Sequence, residues 1–132
     1  MIALDTNFVV RLVVEDDAAQ LAEVKRIIRE AESDGETCLL TDAVLCELGW
    51  VLESVYGATR QDILAAIQAL LSTSTFTFEN RKRVQRALTA YESGRGDLAD
   101  YLIGHTGLDL GARTTFTFDR GLRSAETFTV VR

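Results

Sequence analysis

Met1-Ile2-Ala3-Leu4-Asp5-Thr6-Asn7 decides how the rest of the chain is read. Four apolar residues predict a short buried strand, and an acid, a hydroxyl and an amide follow it at once. The next stretch, Phe8-Val9-Val10-Arg11-Leu12-Val13-Val14, is apolar enough to open a helix. A strand that ends in a carboxylate and runs into a helix is a familiar device of α/β proteins. In open parallel sheets, ligands sit outside the carboxyl ends of the strands.

Working outward, the pattern alternates. Asp16 or Asp17 can cap a helix over 18–31 whose apolar face is Leu21, Val24, Ile27 and Ile28. Residues 37–40 predict a second strand. Thr41-Asp42 is a capping pair for a helix over 43–56, closed by Gly57, and Thr59 caps a helix over 60–71. Residues 75–78 alternate polar and apolar, as a strand does, and a helix over 81–91 follows. The helix predicted over 97–110 is apolar around most of its circumference and is expected to be central. Residues 115–118 and 127–131 predict the last two strands. Thr-Phe-Thr occurs at 75, 115 and 127, at unequal intervals, so each copy is explained by strand alternation and no repeat architecture follows. Strands alternating with helices imply a mostly parallel sheet covered on both faces. The expectation is a single domain over 1–132, a three-layer α/β/α sandwich with a mostly parallel five-stranded sheet.

The composition fits one core: 132 residues, 47% hydrophobic and 26% charged. No apolar run approaches the roughly 20 residues that cross a bilayer, and no basic leader precedes an apolar stretch, so neither a membrane span nor a secretory signal is expected. Cys38 and Cys46 lack zinc-type spacing and have one histidine for company. They read as reduced thiols of a cytoplasmic protein. The net charge of -6 speaks against non-specific nucleic-acid binding, which needs cations to neutralise phosphates. Charge can be segregated, however, and twelve of the fourteen cationic residues are arginine, which suits bidentate contacts to phosphate.

The candidate chemistry lies in five acids: Asp5, Glu47, Asp97, Asp100 and Asp119. Each has a plain explanation. Asp5 can cap the following helix, though Thr6 can do so equally well. Glu47 can be an edge glutamate with its head in water. Asp97 and Asp100 can form a capping box, and Asp119 can be a turn residue. Together they suggest more. Asp119 follows Phe118 as Asp5 follows Leu4, so two strands end in acids, and Asp97 and Asp100 share a helix face. Clustered carboxylates raise each other's pKa unless cations compensate them. Carboxylate ligands suit magnesium or manganese, and paired ions of this kind serve phosphodiester cleavage.

These residues resemble the PIN-domain nucleases, and among them the VapC-type toxins of bacterial toxin–antitoxin pairs. The resemblance rests on Leu4-Asp5-Thr6-Asn7 with Arg11, on Glu47-Leu48, on Asp97-Leu98-Ala99-Asp100-Tyr101-Leu102-Ile103, and on Thr117-Phe118-Asp119-Arg120-Gly121-Leu122. It covers the chain from first strand to last. It implies a metal-dependent endoribonuclease whose Mg2+ or Mn2+ pocket is lined by Asp5, Glu47, Asp100 and Asp119, with Asp97 as a further acid. It also implies that Thr6, Asn7 and Thr117 help arrange that pocket. The expected partners are an RNA substrate, a small VapB-like antitoxin and a second copy, in a homodimer that grows to a heterotetramer or larger with the antitoxin. Arg11, Arg95, Arg113, Arg120 and Arg123 lie where they can border the site, with Arg11 and Arg120 the candidates for substrate contact. Arg81, Lys82, Arg83 and Arg86 are expected on a solvated helix face, and His105 in a structural role.

Two other classes compete. A receiver-like signalling module also gathers acids around magnesium, but it wants a lysine late in the chain, and the last one here is Lys82. A catalytically silent magnesium-binding interaction module would keep the same fold without the reaction.

Overall fold

The computed structural model describes residues 1–132. The chain divides into two compact units, Met1–Glu79 and Asn80–Arg132.

In the first unit the order is β1 (Ile2–Ala3), α1 (Thr6–Val14), α2 (Ala18–Ser33), β2 (Cys38–Leu40), α3 (Asp42–Ser54), α4 (Arg60–Leu71) and β3 (Phe76–Phe78). The strands form a parallel sheet in the order β1-β2-β3. Two helices separate each consecutive pair of strands, as parallel crossovers require. The central strand is sealed by Cys38 and Leu40, both with no exposed surface, and Val9, Leu45, Leu48 and Ile67 are equally buried.

The second unit runs α5 (Arg81–Ser93), α6 (Leu98–Asp109), β4 (Thr115–Thr117), a 3-10 turn (Arg120–Leu122) and β5 (Phe128–Val130). β4 and β5 pair in parallel, with Phe116 opposite Thr129. The packing of α5 against α6 includes Tyr91 and Tyr101 edge to face, ring centres 6.5 Å apart. Gly104 lets α6 lie directly on β5. A Cβ there would sit 2.3 Å from Thr127 Oγ1 and 2.8 Å from a Phe128 ring carbon, closer than packed atoms tolerate.

All six α-helices start at a short polar residue: Asp5, Asp17, Thr41, Thr59, Asn80 and Asp97. Five of these side chains accept a backbone N–H of the first turn, which supplies a partner the helix itself lacks. Thr59 and Asp62 complete a reciprocal capping box.

The α/β class and the parallel strands match the sequence expectation. Three details differ. The five strands, each two or three residues long, hydrogen-bond as a three-stranded sheet in the first unit and a two-stranded sheet in the second instead of one ladder of five. α6 is not surrounded: Ile103 is 53% exposed, while Leu98, Tyr101 and Leu102 carry the burial. Arg83 is not solvated. It is buried on α5, and its Nε donates to Asp109 Oδ2 at 2.8 Å, while Arg86 Nη2 holds both oxygens of the same carboxylate at 2.9 Å.

The units also divide the charge. Met1–Glu79 carries fourteen acidic and five cationic side chains, a net charge of -9. Asn80–Arg132 carries six acidic and nine cationic side chains, a net charge of +3.

Candidate functional site

Asp5 stands just past β1, where the chain turns into α1. Its Oδ1 accepts the Phe8 N–H at 3.0 Å, so the capping role belongs to Asp5, and Thr6 is buried as the first helical residue. One oxygen is thereby fixed toward the helix. The carboxylate borders a cavity of about 270 Å3 shared with Asn7, Arg11, Gln20 and Glu23. Arg11 is held there by neighbours: Nη1 lies 3.1 Å from Asp16 Oδ1 and 3.2 Å from the Tyr56 hydroxyl, and Nε donates to Gln20. Arg11 therefore lies inside α1 and is already engaged. The Tyr56 hydroxyl and the two nearby aspartates keep its guanidinium charged.

Glu47 projects from the middle of α3 and is exposed, between buried Leu45 and Leu48. The sheet register also brings an acid that the sequence reading passed over. Ala3 pairs with Leu39, and Leu40 with Phe78, so Asp5, Thr41 and Glu79 leave the sheet at one level. Glu79 Oε1 accepts the Asp42 N–H at 2.9 Å and so helps to start α3. The signal was present: Thr77-Phe78-Glu79 repeats the pattern of Thr117-Phe118-Asp119.

In the second unit the acids are neighbours. Asp97 and Asp100 occupy the first turn of α6, where the Asp97 N–H donates to Asp100 Oδ2 at 2.9 Å. Asp119 opens the 3-10 turn. Its own N–H donates to Thr117 Oγ1 at 3.1 Å, and its Oδ1 accepts the Gly121 N–H at 2.8 Å. Thr117 thus orients the acid two residues on.

Two glycines bring the turn and the helix together. A Cβ on Gly96 would lie 2.5 Å from Leu122 Cδ2 and 3.1 Å from Asp100 Oδ2, and one on Gly121 would lie 3.1 Å from Asp119 Oδ1. The Arg95 Cβ is 3.8 Å from that second position, so Arg95 flanks the acid. Neither glycine stood out in the sequence; a glycine just before a capping aspartate was the available hint.

Burial pushes the Asp100 carboxyl above the usual range. The negative charges of Asp97 and Asp119 push the same way, against the Asp97 N–H. A half-buried carboxylate facing two others is a place where negative potential gathers, and oxygen donors of this kind suit a hard divalent cation. The donor chemistry fits magnesium or manganese. No group of three or more acidic, histidine or cysteine side chains has converged into a ready metal cage. Asp5, Asp100 and Asp119 each spend an oxygen on a backbone N–H.

His105 lies elsewhere on α6. Its charged surroundings are Arg86, Asp109 and Glu126, and burial foremost, then Arg86, lowers its pKa. A larger cavity, about 880 Å3, opens in the first unit between apolar side chains such as Leu12, Ile28, Leu52, Leu70 and Phe76. None of the five candidate acids lines it.

No curated protein matches the chain. The family model of the PIN domain matches residues 2–127, from the first strand to the residue before the last strand and through all five acids, and the chain belongs to the PIN domain family.

Proposed function

We propose that this PIN domain is a divalent-metal-dependent endoribonuclease that acts as the toxin of a toxin–antitoxin pair and works as one domain over residues 1–132. PIN domains are in general nucleases that act on nucleic acid with divalent metal ions. The observation that carries the narrower reading is the gathering of Asp97, Asp100 and Asp119, where burial foremost and the charges of the other two acids raise the Asp100 carboxyl. With Asp5 and Glu47 these are the donors we assign to the ions.

Bound divalent ions would acidify the attacking water and offset charge on the phosphate. The rest falls to side chains. Asp100 Oδ2 is tied to the Asp97 amide, and Glu47 or Asp100 assists the water by taking its proton. Water attacks phosphorus in line, the bond to the 3′ oxygen breaks, and that oxygen takes a proton from solvent, leaving a 5′ phosphate and a 3′ hydroxyl. Asp119 stays where Thr117 and Gly121 aim it. Arg120, exposed beside Asp119, meets a phosphate oxygen with its planar fork. Arg11 contributes its charge near Asp5 while bonded to Asp16 and Tyr56.

The partners we assign are RNA, a small VapB-like antitoxin and a second copy. Exposed apolar side chains on α3 (Trp50, 68%) and on α6 (Ile103) support self-association. The apolar cavity of the first unit supports a partner that offers apolar side chains.

The silent interaction module is favoured by one fact: Asp5, Asp97 and Asp119 all open helices, and that role would keep them without any reaction. The deciding experiment incubates the pure chain with unstructured RNA and with single-stranded DNA, in magnesium, in manganese and in chelator. The expected result is internal cutting of RNA that chelator stops, with a thermal midpoint raised by the metal in the wild type and unmoved in Asp119→Asn. Intact RNA under every metal, or cutting that survives chelation, overturns the reading.

A further inference from the structure

The stretch that joins α5 to α6, Gly94-Arg95-Gly96, has a glycine on each side of its arginine, and glycine has the widest backbone freedom of any residue. Asp97 and Asp100, which follow at once, need the opposite, a fixed backbone. The second unit supplies it with one side chain. Tyr101 is 3% exposed, with its ring edge to face against Tyr91. Its hydroxyl accepts the Gly96 N–H at 3.0 Å, out of contact with water.

The loop bends around that ring. A Cβ on Gly94 would fall on the Tyr101 hydroxyl, 2.7 Å from Cζ, and one on Gly96 would lie 3.3 Å from Cε2. Both glycines therefore clear the space that the tyrosine fills. Two successive amides are then caught by two successive residues of α6. The Gly96 N–H donates to Tyr101 Oη, and the Asp97 N–H donates to Asp100 Oδ2 at 2.9 Å. Both acceptors stand at the start of α6, so the helix grips its own lead-in at two consecutive points. A phenylalanine would fill the same space. The hydroxyl adds a buried polar atom, which costs stability unless it is bonded, and its bond goes to the loop that carries Asp97. Outer residues of this kind fix the donors that hold an ion.

We propose that Tyr101 is a positioning residue: its hydroxyl tethers the 94–96 loop, and the tether sets the spacing of the Asp97 and Asp100 carboxylates. Without it the Asp97 N–H leaves Asp100 Oδ2, and the pair presents its oxygens in many arrangements in place of one. The inference deepens the nuclease reading and rests on it for the use of the pair, as donors to divalent ions. The hydroxyl, buried under the loop, acts through the backbone and not on substrate.

The test compares the full-length wild type with Tyr101→Phe, which keeps the ring. The control is Val84→Ala, which removes buried bulk at the opposite end of α5 from the loop. Amide exchange is followed by NMR without metal, and Mn2+ binding by the paramagnetic resonance of the free ion. In Tyr101→Phe the Gly96 amide should exchange about tenfold faster, the factor that one hydrogen bond contributes, and the Asp97 amide should speed up with it. Mn2+ should bind about tenfold more weakly, and RNA cleavage should need about tenfold more Mg2+ for half its maximal rate, the usual scale for a lost outer partner. The kcat at saturating metal should change little. Val84→Ala should lower the thermal midpoint at least as far and leave the two amides and the Mn2+ affinity unchanged. A Gly96 amide that exchanges in the wild type as fast as an open loop overturns the tether, whether or not the variant folds. Faster exchange in Tyr101→Phe with unchanged Mn2+ affinity makes the tyrosine a stability residue alone and overturns the positioning role. Wild-type cleavage, with amides and Mn2+ affinity unaltered in Tyr101→Phe, sinks the tether and spares the nuclease. Loosened amides in a chain that binds no Mn2+ and cuts no RNA do the reverse.

Discussion

Asn80–Arg132 is basic and Met1–Glu79 strongly acidic, and the two units hold their candidate acids in different ways. Asp5, in the first, is kept beside a small cavity with an arginine at hand, and Glu47 is exposed on α3. In the second, Asp97, Asp100 and Asp119 face each other, and burial makes Asp100 reluctant to ionise. The lesson is that a net charge of -6 describes neither unit. The acidity that argues against nucleic-acid binding belongs to the first unit, while the second has the charge that a phosphate backbone attracts.

The largest expected effect asks whether both units take part in the chemistry. Asp5→Asn and Asp119→Asn should each slow metal-dependent RNA cleavage by about a thousandfold, because losing a metal ligand forfeits several kcal/mol of transition-state stabilisation. Circular dichroism should stay unchanged, since asparagine caps a helix about as well as aspartate. A fully active Asp5→Asn variant would confine the reaction to the second unit.

A smaller effect concerns stability within the second unit. Arg83, then Arg86, hold the Asp109 carboxyl below its ordinary value. A depressed folded pKa gives stability that is fully present above the unfolded value near 4 and is lost as pH falls through the lower folded value. Asp109→Asn should therefore flatten the acid limb of the stability profile. At neutral pH it should lower the thermal midpoint by about 4 °C, the shift that about 1 kcal/mol produces in a chain of this size. An unchanged acid limb would mean that the pair is absent in solution.

The smallest effect sharpens the contrast in charge. Arg113→Ala and Arg120→Ala should each reduce the slope of log affinity against log salt by about 0.7 for single-stranded RNA. Arg26→Ala in the first unit, where Glu23 and Glu30 already bind the guanidinium, should leave the slope alone. Equal slopes for all three variants would erase the distinction between the units.

What was legible in the sequence follows the range of the forces involved. Helix starts were readable because capping is local: Asp17, Thr41 and Thr59 sit where their hydrogen bonds require. Strand positions were readable from alternation, and so were Asp5 and Asp119 at strand ends. Arg83 was misplaced because its partner, Asp109, lies 26 residues away on another helix. The nearness of Asp100 and Asp119 depends on Gly96 and Gly121, whose contribution is the absence of a side chain.

Gly104 makes α6 a lever. The helix bears on β5 at the one point where a methyl group has no room, and Asp100 stands four residues, about 6 Å, toward the amino end. Bulk added at that bearing point would tilt the arm that carries Asp100. A residue with no functional group of its own thereby governs where a candidate catalytic oxygen comes to rest.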